Sequence, residues 1–180
     1  MVVAHPEPFT IEDYFALPDD GMRHELYDGA LHVTPPPFSR HELGVARLRD
    51  GVSRALAAGT VALGNVGVRL GRARLLVPDL TVASLAAAQQ NQPYLLPGDI
   101  SLVAEVESPN SARMDRLMKT ALYGEGGIPL YVRVDPEIPS VHVHQLDEGN
   151  YRLIAFAVAG EIAEIPSPFG LRVDPADLLR

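Results

Sequence analysis

Leu75-Leu76-Val77-Pro78-Asp79-Leu80-Thr81-Val82 is the stretch on which the reading of the fold turns. It is nearly continuous in apolar residues, as expected of a strand covered on both faces. Two residues break the pattern. Pro78 has no N–H to give to a sheet ladder, so its place inside an apolar run marks an edge, a bulge or a bend. Asp79, directly after it, is costly to bury without a cation or hydrogen-bond donors. Pro-Asp is also a common turn pair, so the dipeptide alone fits a turn as well as a site.

Upstream, Thr10-Ile11-Glu12-Asp13 has the form of a capped short helix, with Thr10 as N-cap and Asp13 at the third helical position. His24–Tyr27 and Ala30–Val33 flank Asp28-Gly29, a two-residue hairpin signal. Pro35-Pro36-Pro37 stops the second of these strands. Ser39 with Glu42 then predicts a capping box opening a helix. Its inner side carries Leu43, Val45 or Ala46, Leu48, Val52 and Leu56, and Gly59 ends it.

Beyond that helix the period changes to two. Val61–Leu63, Val66–Leu70, Leu75–Val82 and Leu102–Glu107 read as strands, and the Ala/Gln-rich Leu85–Gln92 as a loop or short helix. Ser111 caps a second long helix running to about Tyr123, ended by Gly124, Gly126 and Gly127. Leu130–Val134, Val141–Leu146, Tyr151–Val158 and Glu161–Ile165 complete the strands. This order predicts an α/β fold, a mixed β-sheet flanked by helices, with an N-terminal helix and β-hairpin. A chain of 180 residues suits a single domain, 1–180, with its core over about 10–158.

Composition narrows the function. Hydrophobic residues at 47% supply a real core and argue against disorder. With no cysteine, a disulfide framework, thiolate zinc sites and cysteine nucleophiles are all excluded. No export signal and no apolar run of roughly 18 residues is visible, so a cytoplasmic protein without a membrane span is expected. A net charge of −8 and a pI of about 5.1 run against a nucleic-acid binder, which usually carries a basic footprint. The arginines are uneven, however. Arg47, Arg49 and Arg54 recur along one predicted helix and Arg69, Arg72 and Arg74 cluster at a turn, as a local basic surface or as solvated side chains.

Two more elements bear on chemistry. In Leu102-Val103-Ala104-Glu105-Val106-Glu107, strand alternation places Glu105 and Glu107 on one face. Two carboxylates side by side repel unless a cation lies near or both face water. Glu107, at the start of a loop, also fits a polar strand end; Glu105 fits that less well. On the following helix Asp115, Lys119 and Tyr123 recur at spacings of four. Either Asp115 and Lys119 form a surface pair, or Lys119 reaches back to the carboxylates.

Together these elements resemble the PD-(D/E)XK nuclease superfamily, and more closely the Uma-type family of restriction-endonuclease-like proteins. The resemblance is carried by Arg23-His24-Glu25-Leu26-Tyr27-Asp28-Gly29-Ala30-Leu31, Ser39-Arg40-His41, Gly67-Val68-Arg69-Leu70, Val77–Val82, Val103–Asn110, Lys119–Tyr123 and Gly127–Pro136. Order and spacing, rather than any one piece, are specific, and they span about residues 11–153. The resemblance implies a restriction-endonuclease-like fold and a Mg²⁺- or Mn²⁺-dependent endonuclease acting on DNA, as a homodimer. It implies Asp79 and Glu105 as metal ligands, and Lys119 as the catalytic lysine, moved from the strand onto the next helix; Mg²⁺ coordination would also accept a backbone carbonyl near Val106 as a further ligand. Glu25 matches a further acidic position and His41 a frequent histidine. Glu107 departs from the pattern, standing where the wider superfamily has its lysine, and would add a ligand or repel phosphate. The alternative is a catalytically weak or inactive nuclease-fold module that binds nucleic acid or protein.

Other signals carry less. His142-Val143-His144 has a metal-like spacing but no partner motif, and reads as the exposed face of a late strand. Tyr123 reads as core or as a support to the site. Ser39 and Ser111 lack a nucleophile elbow, and no phosphate-binding glycine loop is present.

Overall fold

The computed structural model describes residues 2–3, 7–108 and 114–180. In chain order the elements are β1 (Val2–Val3), α1 (Ile11–Phe15), β2 (Arg23–Tyr27), β3 (Ala30–Thr34), α2 (Ser39–Arg54), β4 (Thr60–Leu63), β5 (Gly67–Arg69), β6 (Leu75–Leu76), β7 (Leu80–Ser84), α3 (Leu85–Ala88), β8 (Tyr94–Leu95) and β9 (Ile100–Val106). A π-type turn, Met114–Lys119, then leads into α4 (Thr120–Glu125), followed by β10 (Leu130–Asp135), β11 (Ser140–Asp147), β12 (Asn150–Val158), β13 (Ala163–Ile165) and β14 (Leu171–Val173). Short 3₁₀ turns cover Pro97–Asp99 and Pro175–Leu178. No helix among the described residues is long and apolar enough to cross a membrane.

The fold is mixed α/β, but its strands form two six-stranded sheets rather than one. The first has the order β1-β3-β2-β6-β5-β8, the second β12-β11-β10-β9-β7-β4, and β13 and β14 pair with each other. Both large sheets are mixed, with β5 parallel to β8 and β9 parallel to β10. Leu75–Val82, expected as one strand, is where the chain changes sheets. Leu75 pairs with Leu26 in the first sheet, whereas Leu80 pairs with Ala104 in the second. Pro78 supplies the bend, since it cannot continue a ladder.

Alternation along the second sheet explains the layers. Leu80, Val82, Leu102, Ala104, Val106, Val132 and Val134 point to one side, where they meet Leu48 and Val52 of α2 with Ile165, Phe169, Val173 and Leu178. The core therefore runs on to Leu178, beyond the limit expected near residue 158. The opposite side carries Ala83, Val103 and Tyr131, packed against Tyr27 and Leu76 of the first sheet and Tyr123 of α4. Asp79 and Glu105 fall in the alternation of this second side, between the two sheets.

Local expectations hold where they rest on short-range chemistry. Thr10 caps α1, with Asp13 closing the box, and Asp28 and Gly29 take the positive φ values of 49° and 82° that a two-residue hairpin turn requires. The Ser39–Glu42 capping box does not form. The proline run delivers an extended chain to Phe38, which is the N-cap without a side-chain bond, and Glu42 turns to His41 Nδ1 at 3.3 Å instead. The inner stripe of α2 is His41, Gly44, Leu48 and Val52, with Leu43 exposed, and the helix ends at Arg54, before Gly59. Ser111 lies outside the described residues.

A buried contact next to the sheet change should be costly to remove. Leu80→Ala is expected to lower stability by about 2–5 kcal/mol, whereas Leu153→Ala, at a half-exposed position on β12, should stay within about 0.5 kcal/mol. Urea melts of the two variants check this; equal losses would contradict the layer assignment.

Candidate active site

Arg23, Glu25 and Tyr27 alternate onto one face of β2, which looks across the gap at the second sheet. Asp79 enters from the bend before β7, Glu105 from β9, His41 from the first turn of α2 and Lys119 from the end of the π-type turn. A π-type turn advances fewer degrees per residue than an α-helix and so re-aims a side chain. Apart from Tyr27, whose hydroxyl backs Glu25, these groups converge on a cavity of about 210 Å³ walled by Pro35, Pro36, Pro37 and Phe38. Asp79, Glu25, Glu105 and Lys119 are only 2–4% exposed. Burying such charges is tolerable only when each is paired and hydrogen-bonded.

Every acid is held by named donors. Asp79 Oδ1 accepts from Arg23 Nη1 at 2.7 Å, and Oδ2 accepts from His41 Nε2 at 3.1 Å and from the Val106 N–H at 2.8 Å. Glu105 Oε1 accepts from Lys119 Nζ at 2.9 Å and from the Tyr123 hydroxyl at 2.7 Å. Glu25 Oε1 accepts from the Val77 N–H at 2.9 Å and lies 3.1 Å from Lys119 Nζ, while Oε2 accepts from the Tyr27 hydroxyl at 2.9 Å. Arg23 also donates to the Val77 carbonyl, and its Nη2 lies 3.9 Å from Glu105 Oε2.

The electrostatics follow. Burial alone would raise the Asp79 carboxyl, but the His41 hydrogen bond and the charges of Arg23 and His41 hold it well below the usual carboxylate range. Glu25 is likewise pushed up by burial and brought lower by Lys119, Arg23 and the Val77 N–H. Burial lowers His41, yet its bond to Asp79 outweighs that and raises it. Burial and then the Glu105 charge raise the Tyr123 phenol well above its ordinary value, so it stays a donor.

The donor chemistry suits a hard divalent cation. Mg²⁺ typically takes one or two carboxylates with waters and a carbonyl, and Asp79, Glu105 and Val106 offer that kind of set. Extending the Leu80–Ala104 register sets Pro78 opposite Val106, and a proline supplies no N–H to the Val106 carbonyl. Among the described residues no three His, Asp or Glu side chains close on one point, because Arg23 and Lys119 are interleaved with the acids.

The sequence pattern of the Uma2 family, described as "Putative restriction endonuclease", matches residues 11–176. The chain belongs to the Uma2 family. Its fold is similar to the crystal structure of a "putative nuclease belonging to DUF820" from Anabaena variabilis, with a TM-score of 0.75 and 18% identity, covering 96% of this chain and 98% of that one. At that identity the likeness speaks for the fold. No curated protein matches the sequence.

The structure thus brings together all the positions that the Uma2 resemblance singled out: Asp79, Glu105, Lys119, Glu25 and His41, with the Val106 backbone beside them. Glu107 does not join them. It is buried, but its carboxylate accepts from Arg116 Nε at 3.0 Å and from Arg133, so it is neutralised outside the cavity. His142 and His144 are half-buried rather than exposed, in an aromatic cluster with Tyr131, Tyr151 and Phe156. Burial, followed by the Arg133 charge, depresses His144 to about 4. The turn arginines are partly spent: Arg74 pairs with Asp28 and Glu125, and Arg69 with the Gly71 carbonyl and the Tyr94 hydroxyl. Arg47 donates to the Arg180 carbonyl. Asp115's side chain lies outside what is described. Sequence reasoning missed Arg23 and Tyr27, although both share the strand face of Glu25.

The pKa directions set a pH profile. Asp79 and Glu25, held below their ordinary values, contribute stability present above the ordinary carboxylate range and lost as pH falls through their depressed native values. His41, raised, contributes below its ordinary value, and that part is lost as pH rises through its native value. Wild-type urea midpoints should therefore fall on acidification below about pH 4. In Lys119→Met, Glu25 and Glu105 lose their shared cation, so lowering the pH from 7 to 5 should raise the midpoint. Parallel profiles would contradict the paired cluster.

Proposed function

We propose that this chain is a Mg²⁺- or Mn²⁺-dependent endonuclease that hydrolyses DNA phosphodiester bonds, acting in the cytoplasm as a homodimer. One observation carries the reading. Three carboxylates from three separate elements line a single recessed cavity, two of them paired with Lys119 and the third with Arg23, far more buried charge than a fold needs for stability. Membership of the Uma2 family supports a nuclease.

Phosphodiester hydrolysis requires an activated water and neutralisation of charge that grows on the phosphate. Asp79, Glu105 and the Val106 carbonyl would hold the ion, which supplies positive charge and Lewis acidity at the phosphate. Lys119 brings a point charge to the same cavity and orients the attacking water. Tyr123 fixes the Glu105 carboxylate, while His41 and the Val106 N–H fix that of Asp79, so neither acid has to reorganise during the reaction. Glu25, anchored by Tyr27 and the Val77 N–H, steadies Lys119. A two-fold dimer would bring one such centre to each strand of a duplex.

Plasmid and single-stranded substrates with Mg²⁺, Mn²⁺ or EDTA test the reading. Cleavage is expected only with metal, and Lys119→Ala should slow it about 10²–10⁴-fold, in the range for a positioned proton-transfer group, with DNA affinity within about twofold. Binding without cleavage by the wild type on every substrate would replace the enzyme with a binding module.

A further inference from the structure

Arg23 occupies the gap between the two carboxylates assigned to the metal. Its Nη1 lies 2.7 Å from Asp79 Oδ1, its Nη2 donates to the Val77 carbonyl, and the same Nη2 stands 3.9 Å from Glu105 Oε2, too far for a hydrogen bond. We propose that Arg23 is an exchangeable counter-cation: it neutralises Asp79 and Glu105 while no divalent ion is bound, and withdraws to grip the substrate phosphate when the ion enters. The phosphate half of this inference rests on the nuclease reading; the exchange half does not.

Four features support exchange over a fixed structural pair. Charge is the first. Glu25, Asp79 and Glu105 face Arg23 and Lys119, one negative charge in excess before His41 is counted. A divalent ion added with Arg23 in place would leave an excess of one positive charge, whereas with Arg23 withdrawn the three acids are balanced by the ion and Lys119. The second is access. The Arg23 side chain is 22% exposed, against 2–4% for Asp79 and Glu105. The third is room. Arg23 lines both the inner cavity and a neighbouring one of about 680 Å³, where Tyr14, Phe15 and Met22 form part of the wall, so its side chain borders open space besides that facing the two acids. The fourth is incomplete satisfaction. Arg23 Nε is buried without a hydrogen-bond partner, and a guanidinium is at its best when its fork of donors is used on a carboxylate or phosphate.

Mn²⁺ alone, followed by isothermal titration calorimetry on the full chain, reads the exchange without any substrate. A competing arginine contact lowers the fraction of protein ready for the ion and weakens apparent affinity by that fraction. Arg23→Met should bind Mn²⁺ at least about tenfold tighter than the wild type, with one site lost on adding Asp79→Asn. Arg23→Lys keeps the charge but cannot span both acids, so its affinity should also exceed that of the wild type, by less. It serves in place of Arg23→Met if that variant does not fold. Mn²⁺ affinity in either folded variant equal to or below the wild type overturns the proposal, as does the absence of Mn²⁺ binding in every variant. At saturating Mn²⁺, Arg23→Met should cleave DNA at least about a hundredfold more slowly, the size of loss expected for a donor on developing charge. Tighter Mn²⁺ binding with undiminished cleavage would remove Arg23 from the phosphate, and with no cleavage even by the wild type the nuclease reading fails while the exchange stands.

Discussion

Charge neutralisation in a recessed, largely buried space is the constraint around which this protein is arranged. Glu25, Asp79 and Glu105 come from β2, from the bend ahead of β7 and from β9, and none could remain ionised there alone. Lys119 binds two of them together and Arg23 spans towards the third, so the first sheet, the second sheet and the helical segment after β9 are tied at one place. Elsewhere the layers meet mainly through apolar contacts, which fix distance but specify register only loosely; the polar cluster fixes how the layers face each other. Clusters of this kind are weak evidence for stability, since an apolar replacement is often as stable.

The same constraint accounts for the backbone around the site. A strand running unbroken from Leu75 to Val82 would have kept Asp79 within a ladder. Pro78 ends that ladder, hands the chain from one sheet to the other and leaves the Val106 N–H to the Asp79 carboxylate. The π-type turn does the corresponding service for Lys119, and the helix following it places Tyr123 over Glu105. Glu107, two residues further along, has its own arginines, which is how an acidic residue stands so near the cluster without adding to its charge.

Much of this was legible in the sequence where the signal is short-ranged. The Thr10 box, the Asp28-Gly29 turn and the period-two strands other than Leu75–Val82 are set by neighbours a few residues apart, and the structure reproduces them. Pro78 was legible as a break but not as a change of sheet, because the partner strands, β2 and β9, are fixed by packing between distant segments. The short β8, parallel to β5, and the C-terminal strand β14 were invisible for the same reason: two or three residues carry no periodicity. The Ser39 cap failed because the prolines ahead of it dictate the chain's entry. Among site residues, the acids and Lys119 stood out by breaking apolar patterns or by family likeness. Arg23 did not, since an arginine at the start of a strand looks like any solvated charge until its partners are in place.

Diffraction from crystals of the wild-type protein grown with Mn²⁺, collected at the manganese absorption edge, tests the central claim most directly. One anomalous peak bonded to Asp79, Glu105 and the Val106 carbonyl is expected, with the Lys119 ammonium still against Glu105. No peak at that position in saturating Mn²⁺, or a peak bound elsewhere with the acid cluster untouched, would contradict it.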